Sequence, residues 1–321
     1  MSVKPIQLGS ATRRLAAVDV GTNTVRMLVA DVGANHSIKP LASGREMVRL
    51  GEGLALSGQI SEAAEARAMA ALSGFAEEIG KYTPEAVAVA ATSAVREAEN
   101  GAEFVERVRH ETGFELTVID GGEEARLTGL GAASVLSGDL KRLLVVDIGG
   151  GSTEFLQLLD GIPGTRASVP MGVVTATEQF FCADPPGGRE LYALDEYIRG
   201  HMASVRRALG EVGRVRLVAT AGTPTTLAAM DLEMTDYDPA KINNHTMTLD
   251  RVEELFDRIV RVSASERRLI AGIEPGREEL IVAGGAILLR VMHDYQFGVV
   301  SVSDSGLREG LILDLFHRVG G

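Results

Sequence analysis

The chain has 321 residues, enough for two domains at about 100–200 residues each. Its 45% hydrophobic and 24% charged residues are ordinary globular usage and exclude a largely disordered chain. Acidic residues outnumber basic ones by 44 to 32, giving a net charge of −12. That excludes a general nucleic-acid coat and requires any polyanionic substrate to be met by a local basic site.

Cys182 is the single cysteine, so an intrachain disulfide and a Cys-rich metal site are excluded. The histidines (His36, His110, His201, His245, His293, His317) share no metal-ligand spacing. The N-terminal stretch through Leu15 lacks the apolar run of a signal peptide. The apolar stretch Ile281 to Leu289 contains two glycines and falls far short of the ~20 residues of a membrane span. A soluble, cytoplasmic protein without membrane contact is expected.

In chain order, the first element is half of a repeat. Leu15-Ala-Ala-Val-Asp-Val-Gly-Thr-Asn-Thr-Val-Arg-Met-Leu28 returns as Leu143-Leu-Val-Val-Asp-Ile-Gly-Gly-Gly-Ser-Thr-Glu-Phe-Leu156. Each copy is an apolar run ending in Asp, a tight turn and a second apolar run, which predicts a β-hairpin presenting backbone N–H groups. After the first copy the pattern predicts a helix over 60–81 capped by Ser61, a buried strand over 86–91 and a helix over 101–111. A strand over 116–119 and a helix from 122 to about 137 follow. After the second copy, 189–209 and 249–262 read as helices, and 215–220, 280–283 and 299–302 as strands. A final helix spans about 305–318, capped by Asp304 or Ser303. The strand-then-helix order implies mostly parallel sheets with helix cover. Two α/β domains flanking a cleft are expected, residues 1–132 and 133–321, with the terminal helix 305–321 free to pack back on the first.

The chemistry gathers at the turns. Three consecutive glycines, Gly149, Gly150 and Gly151, let the backbone approach an anion and form a nest of N–H donors. Ser152 and Thr153 add hydroxyls. Asp147 and Glu154, on either side, are hard oxygen ligands suited to Mg²⁺, which takes one or two carboxylates plus phosphate and water. The partner turn, Gly21-Thr22-Asn23-Thr24, would clamp the opposite side of a phosphate. A plain hairpin is the simpler explanation of either turn alone.

Asp120-Gly-Gly-Glu-Glu-Ala-Arg126 places two carboxylates at a helix start. They either favour the helix dipole or supply a general base that orients and deprotonates water; spacing leaves Glu123 and Glu124 equal. Thr92, Ser93 and Arg96 follow a buried strand and could hold phosphate. Gly222 and Thr223 open another helix, a geometry that binds anions. Ala283-Gly-Gly-Ala286 reads as close packing instead. The pairs Arg13/Arg14, Arg206/Arg207 and Arg267/Arg268 read as solvated faces, any of which could instead line an entrance for a polyanion.

Together with the closing Ser303-Asp-Ser-Gly-Leu-Arg-Glu-Gly310, these segments resemble the exopolyphosphatase/guanosine pentaphosphatase family, over about Leu15 to Leu315. The resemblance implies duplicated actin-like (ribonuclease H-like) α/β domains. It implies that Glu124 is the catalytic base, that Asp147 and Glu154 hold Mg²⁺ (with Mn²⁺ as the alternative ion), and that both turns hold phosphates, with Arg96 nearby. The expected activity is Mg²⁺-dependent release of terminal orthophosphate from inorganic polyphosphate. Hydrolysis of the 5′ γ-phosphate of guanosine pentaphosphate and a low-turnover alarmone or nucleotide sensor are the alternatives. The expected partners are polyphosphate or a guanosine alarmone and a second copy in a homodimer. One departure from the family pattern is Ala221, where its usual Ser-Gly-Thr begins with serine.

Overall fold

The computed structural model describes residues 12–320; the stretch preceding them, which carries the expectation of no signal peptide, lies outside the described residues. The first sheet is built from β1 (Arg13–Val20), β2 (Thr24–Val32), β3 (Ile38–Met47), β4 (Ala86–Ala91) and β5 (Leu116–Val118), in the order β3-β2-β1-β4-β5. The second contains β6 (Arg142–Ile148), β7 (Thr153–Leu159), β8 (Ile162–Val169), β9 (Arg216–Thr220), β10 (Thr246–Thr248) and β11 (Val299–Val302), in the order β10-β11-β9-β6-β7-β8. Read from β8, the second sheet repeats the order of the first, with β10 added at its far edge. The duplication seen in two hairpins therefore extends through both sheets.

Both sheets are mixed rather than mostly parallel. β1 pairs in parallel with β4, and β4 with β5, while β2 and β3 run antiparallel. The second sheet behaves alike, with β6, β9 and β11 parallel and β7 and β8 antiparallel. The antiparallel outer strands β3 and β8 had no counterpart in the sequence expectations. Each contains a proline and a glycine, Pro40 and Gly44 or Pro163 and Gly164, residues that weaken a strand pattern and are tolerated at a sheet edge.

One expected strand is a helix. The run beginning at Leu280 forms Ile281–Asp294, because an all-apolar run does not distinguish a buried strand from a buried helix. Its glycines serve packing: a Cβ at Gly284 would collide with Thr223, and one at Gly285 would crowd Phe256. The other helices form where periodicity placed them, with ends shifted by a few residues. Glu62–Gly80 is capped by Ser61, whose hydroxyl accepts from Ala64 N, and buries Ala68, Leu72, Phe75 and Ile79.

The terminal helix, Leu307–Gly320, lies on the first sheet. Leu307, Leu311, Ile312 and Leu315 share a core with Leu15, Ala17, Leu28 and Ala30. It starts later than expected, with Glu309 accepting from Gly306 N at 2.8 Å. It also crosses the helix Gly121–Ala133 with backbones in contact: a Cβ at Gly131 would strike Gly306 O, and one at Gly310 would strike Leu127 O. That crossing fixes the helix carrying Glu123 and Glu124 between the two sheets. Among the described residues, no helix is long and apolar enough to cross a membrane.

Candidate active site

The two hairpin turns meet. Gly21 N donates to Thr24 O at 3.0 Å, and Gly149 N donates to Ser152 O at 3.0 Å. The equivalent bond closes each turn. Thr22 Oγ1 lies 3.2 Å from Ser93 Oγ, and a Cβ at Gly151 would collide with that hydroxyl, while one at Gly150 would press on Thr22. Two glycines are therefore required where the turns abut. The first turn is held from behind by Val48 N and Arg49 N, which donate to Asn23 O, and by Gly51 N, which donates to Thr22 O. The second is held by Val173 N and Val174 N, which donate to Gly149 O and Gly150 O.

Between the sheets lies a polar cavity. Of the residues singled out on the sequence, Gly21, Thr22, Asn23, Thr24 and Thr92 line it from the first half. Asp147, Gly149, Gly150, Gly151 and Ser152 line it from the second, with Gly222 and Thr223. Glu124 lines it as well and is only 7% exposed. Its neighbour separates cleanly from it: Glu123 turns outward to Arg126, at 2.8 and 2.6 Å. The helix thus presents one acid to the cavity and the other to a surface ion pair.

Three expected phosphate contacts are engaged elsewhere. Thr153 is fully buried and its hydroxyl donates to Met171 O. Ser93 sits behind Thr22 rather than on the cavity wall. Arg96 donates to Ile119 O at 2.9 Å and to Glu124 Oε2 at 3.2 Å, so its guanidinium is a clamp on the buried acid. Glu154 also lies behind the wall. It is 2% exposed, with Oε1 accepting from Ser168 Oγ at 2.8 Å and Oε2 without a partner.

The cavity concentrates negative charge. Burial and then the repulsion of Glu154 and Asp147 raise the Glu124 carboxyl well above the usual range, against the pull of Arg96. Burial raises Asp147 to about 6, opposed by the Thr128 hydroxyl and Arg26. Glu154 is raised to about 8 by burial and then by Asp147. No group of three or more His, Cys, Asp or Glu side chains among the described residues forms a metal cage. Mg²⁺ needs no such cage, since it keeps waters and binds through one or two carboxylates plus phosphate. The unpartnered Glu154 oxygen, beside a second buried carboxylate, is a donor set that fits such an ion.

Sequence reasoning missed the cavity's own cations. Arg26, Arg277 and Arg308 line it, whereas the weighed arginine pairs do not: Arg14 binds Asp31, Arg206 binds Asp294 and Arg267 is buried against Asp184. Two of the three had a signal. Arg26 alternates onto the face of Asp19, and Arg308 lies in the closing motif; Arg277, in a loop, had none. Ala221, where serine was expected, takes φ 74 and ψ −169 at the start of the helix Gly222–Asp231, a conformation nearly confined to glycine.

Comparison with known proteins agrees with this geometry. The model of the Ppx/GppA phosphatase family matches residues 28–319. Exopolyphosphatase 1 of Mycobacterium tuberculosis is 33% identical over 302 residues, covering 94% of this chain and 87% of that protein. Exopolyphosphatase 2 of the same organism is 33% identical over 320 residues, covering 95% and 99%. The crystal structure of the Aquifex aeolicus member of the Ppx/GppA family superposes with a TM-score of 0.83 at 29% identity, covering 97% of this chain and all of that one. With two sheets in one repeated strand order, two abutting glycine turns and a buried acid between them, this chain belongs to the Ppx/GppA phosphatase family.

Proposed function

We propose that the protein is an exopolyphosphatase, releasing terminal orthophosphate from inorganic polyphosphate by hydrolysis. The observation that carries this is Glu124: a buried carboxylate on the cavity wall, oriented by Arg96, facing the place where two N–H-rich turns abut. The terminal phosphate sits between the turns Gly21–Thr24 and Gly149–Ser152, whose backbone donors stabilise charge on the transferring group. Glu124 accepts the proton of the attacking water. Burial and the neighbouring acids raise its pKa against the pull of Arg96, which makes it a stronger base than a solvent-exposed glutamate. Asp147 and Glu154 would hold Mg²⁺, which when bound neutralises phosphoryl oxygens and favours in-line displacement. The units 1–132 and 133–321 then act as the two jaws, with the helix Leu307–Gly320 returning to the first.

The test is phosphate release from long polyphosphate, tripolyphosphate, guanosine pentaphosphate and ATP in parallel, with and without Mg²⁺. Fastest Mg²⁺-dependent release from polyphosphate supports the proposal. Preference for guanosine pentaphosphate would make the chain an alarmone phosphohydrolase, and binding without turnover would make it a sensor.

A further inference from the structure

Arg45 ends a row of charged side chains that leads out of the cavity. It pairs across the strands with Arg26, and Arg26 with Asp19; residues directly opposite share a face of the sheet. Asp19 and Arg26 line the cavity. Neighbouring strands lie ~4.8 Å apart, so the row covers about 10 Å from β1 to the sheet edge. Across the cleft mouth, Glu274 takes Arg45 with both oxygens, at 2.8 and 2.9 Å. That two-pronged contact is the one guanidinium also makes with phosphate.

Glu274 is the carboxylate that Arg45, Arg277 and Arg26 share, and together they hold its carboxyl low against burial. Arg277, pressed over Gly222 on the cavity wall, is held down to about 10 by burial and then by Arg26 and Arg45. Arg26 also faces Asp19 across the strands, so Glu274 is the carboxylate whose loss would leave Arg45 and Arg277 to attract an anion from solution. In a chain of net charge −12, such a row is a local route for a polyanion.

We propose that Arg45 binds the distal phosphates of long polyphosphate, and that Glu274 is a built-in stand-in for phosphate that the chain displaces. This rests on the polyphosphate function proposed above and adds a basis for chain-length preference. A tripolyphosphate held at the turns ends short of Arg45; a long chain follows the row and exchanges with the carboxylate. An interdomain strut alone would behave differently. Losing either partner of a strut harms all substrates in the same direction, whereas Arg45 and Glu274 are assigned opposite effects on long chains.

The experiment compares KM for long polyphosphate and tripolyphosphate in wild type, Arg45→Gln, Glu274→Gln and Arg49→Gln. Arg49 forms a neighbouring interdomain pair with Glu279, at 3.3 Å, outside the row. Arg45→Gln is expected to raise the long-to-short KM ratio about 10-fold, the smaller worth of charge-assisted hydrogen bonds. Glu274→Gln is expected to lower that ratio by roughly threefold, the range of a part-exposed ion pair, and Arg49→Gln to leave it in place. Shifts of the same sign at Arg45 and Glu274, shifts equal for both substrates, or a shift at Arg49 matching that at Arg45 would overturn the proposal. Wild type releasing no phosphate from either substrate would instead overturn the proposed activity. Calorimetric binding of the long chain and of tripolyphosphate then decides for Arg45: a long-to-short ratio of affinities that moves with opposite signs in Arg45→Gln and Glu274→Gln upholds its role, and one that does not ends it.

Discussion

The two hairpins are copies, yet one residue gives them opposite electrostatics. In the first, Asp19 faces Arg26 across the strands; in the second, the same positions hold Asp147 and Glu154. Burial raises both aspartates to about 6. Arg26 opposes that rise at both, but it is the strand partner of Asp19 alone, whereas the partner of Asp147 is an acid itself pushed to about 8. Duplication supplies the same scaffold twice. The exchange of arginine for glutamate sets an ion pair behind the first turn and two buried acids side by side behind the second.

The largest expected effect lies on the acid between the copies. Glu124→Gln is expected to lower kcat by ~10²–10⁴, the usual contribution of general acid–base catalysis, in a phosphate-release assay. Glu123→Gln, whose side chain meets Arg126, is expected to remain near wild type; the reverse result would reassign the base. Next come the second-hairpin acids. Asp147→Asn and Glu154→Gln should raise the Mg²⁺ concentration needed for half-maximal rate at least as much as the ~10–100-fold lost with a supporting partner. A Mg²⁺ titration unchanged in both variants would end the metal role.

The same contrast has a pH signature in metal-free protein. The Glu154 carboxyl titrates near 8 when folded but near ~4.3 when unfolded, so between those values the native state binds more protons. Stability from this group is present in full below the unfolded pKa and is lost as pH rises toward 8. Thermal melts from pH 5 to 8 should therefore show a falling Tm in metal-free wild type and a shallower fall in Glu154→Gln. Parallel slopes would locate the charge strain elsewhere. The smallest effect is expected at the contact between copies. Gly151→Ala places a methyl against Ser93 Oγ and should cost ~1–3 kcal/mol by overpacking, read by denaturant unfolding. No loss would mean that the turns part easily.

The hairpins, the βα units and the cavity's glycine turns were legible because their signals are local: an apolar run, a turn and a cap within a dozen residues. β3 and β8 were not, since a sheet edge tolerates Pro40 and Pro163 and needs little apolar alternation. The run after Leu280 was misread because burial on all sides erases the period that separates strand from helix. At the site, position along the chain picked out Asp147 and the pair Glu123 and Glu124, between which only the family resemblance chose, but not which way neighbouring side chains turn. Glu123 and Glu124 diverge by one helical step, and Thr153 and Arg96 are consumed by Met171 and Glu124. Arg277 reaches the cavity from a loop, where no periodicity announces it.

The contrast between the hairpins is tested most directly by Mn²⁺ binding, followed by electron paramagnetic resonance, in wild type, Glu154→Gln and Arg26→Gln. Wild type and Arg26→Gln are expected to bind the ion, and Glu154→Gln to lose it, because only the second hairpin sets two acids opposite each other. Binding by Glu154→Gln equal to that of wild type would contradict the account.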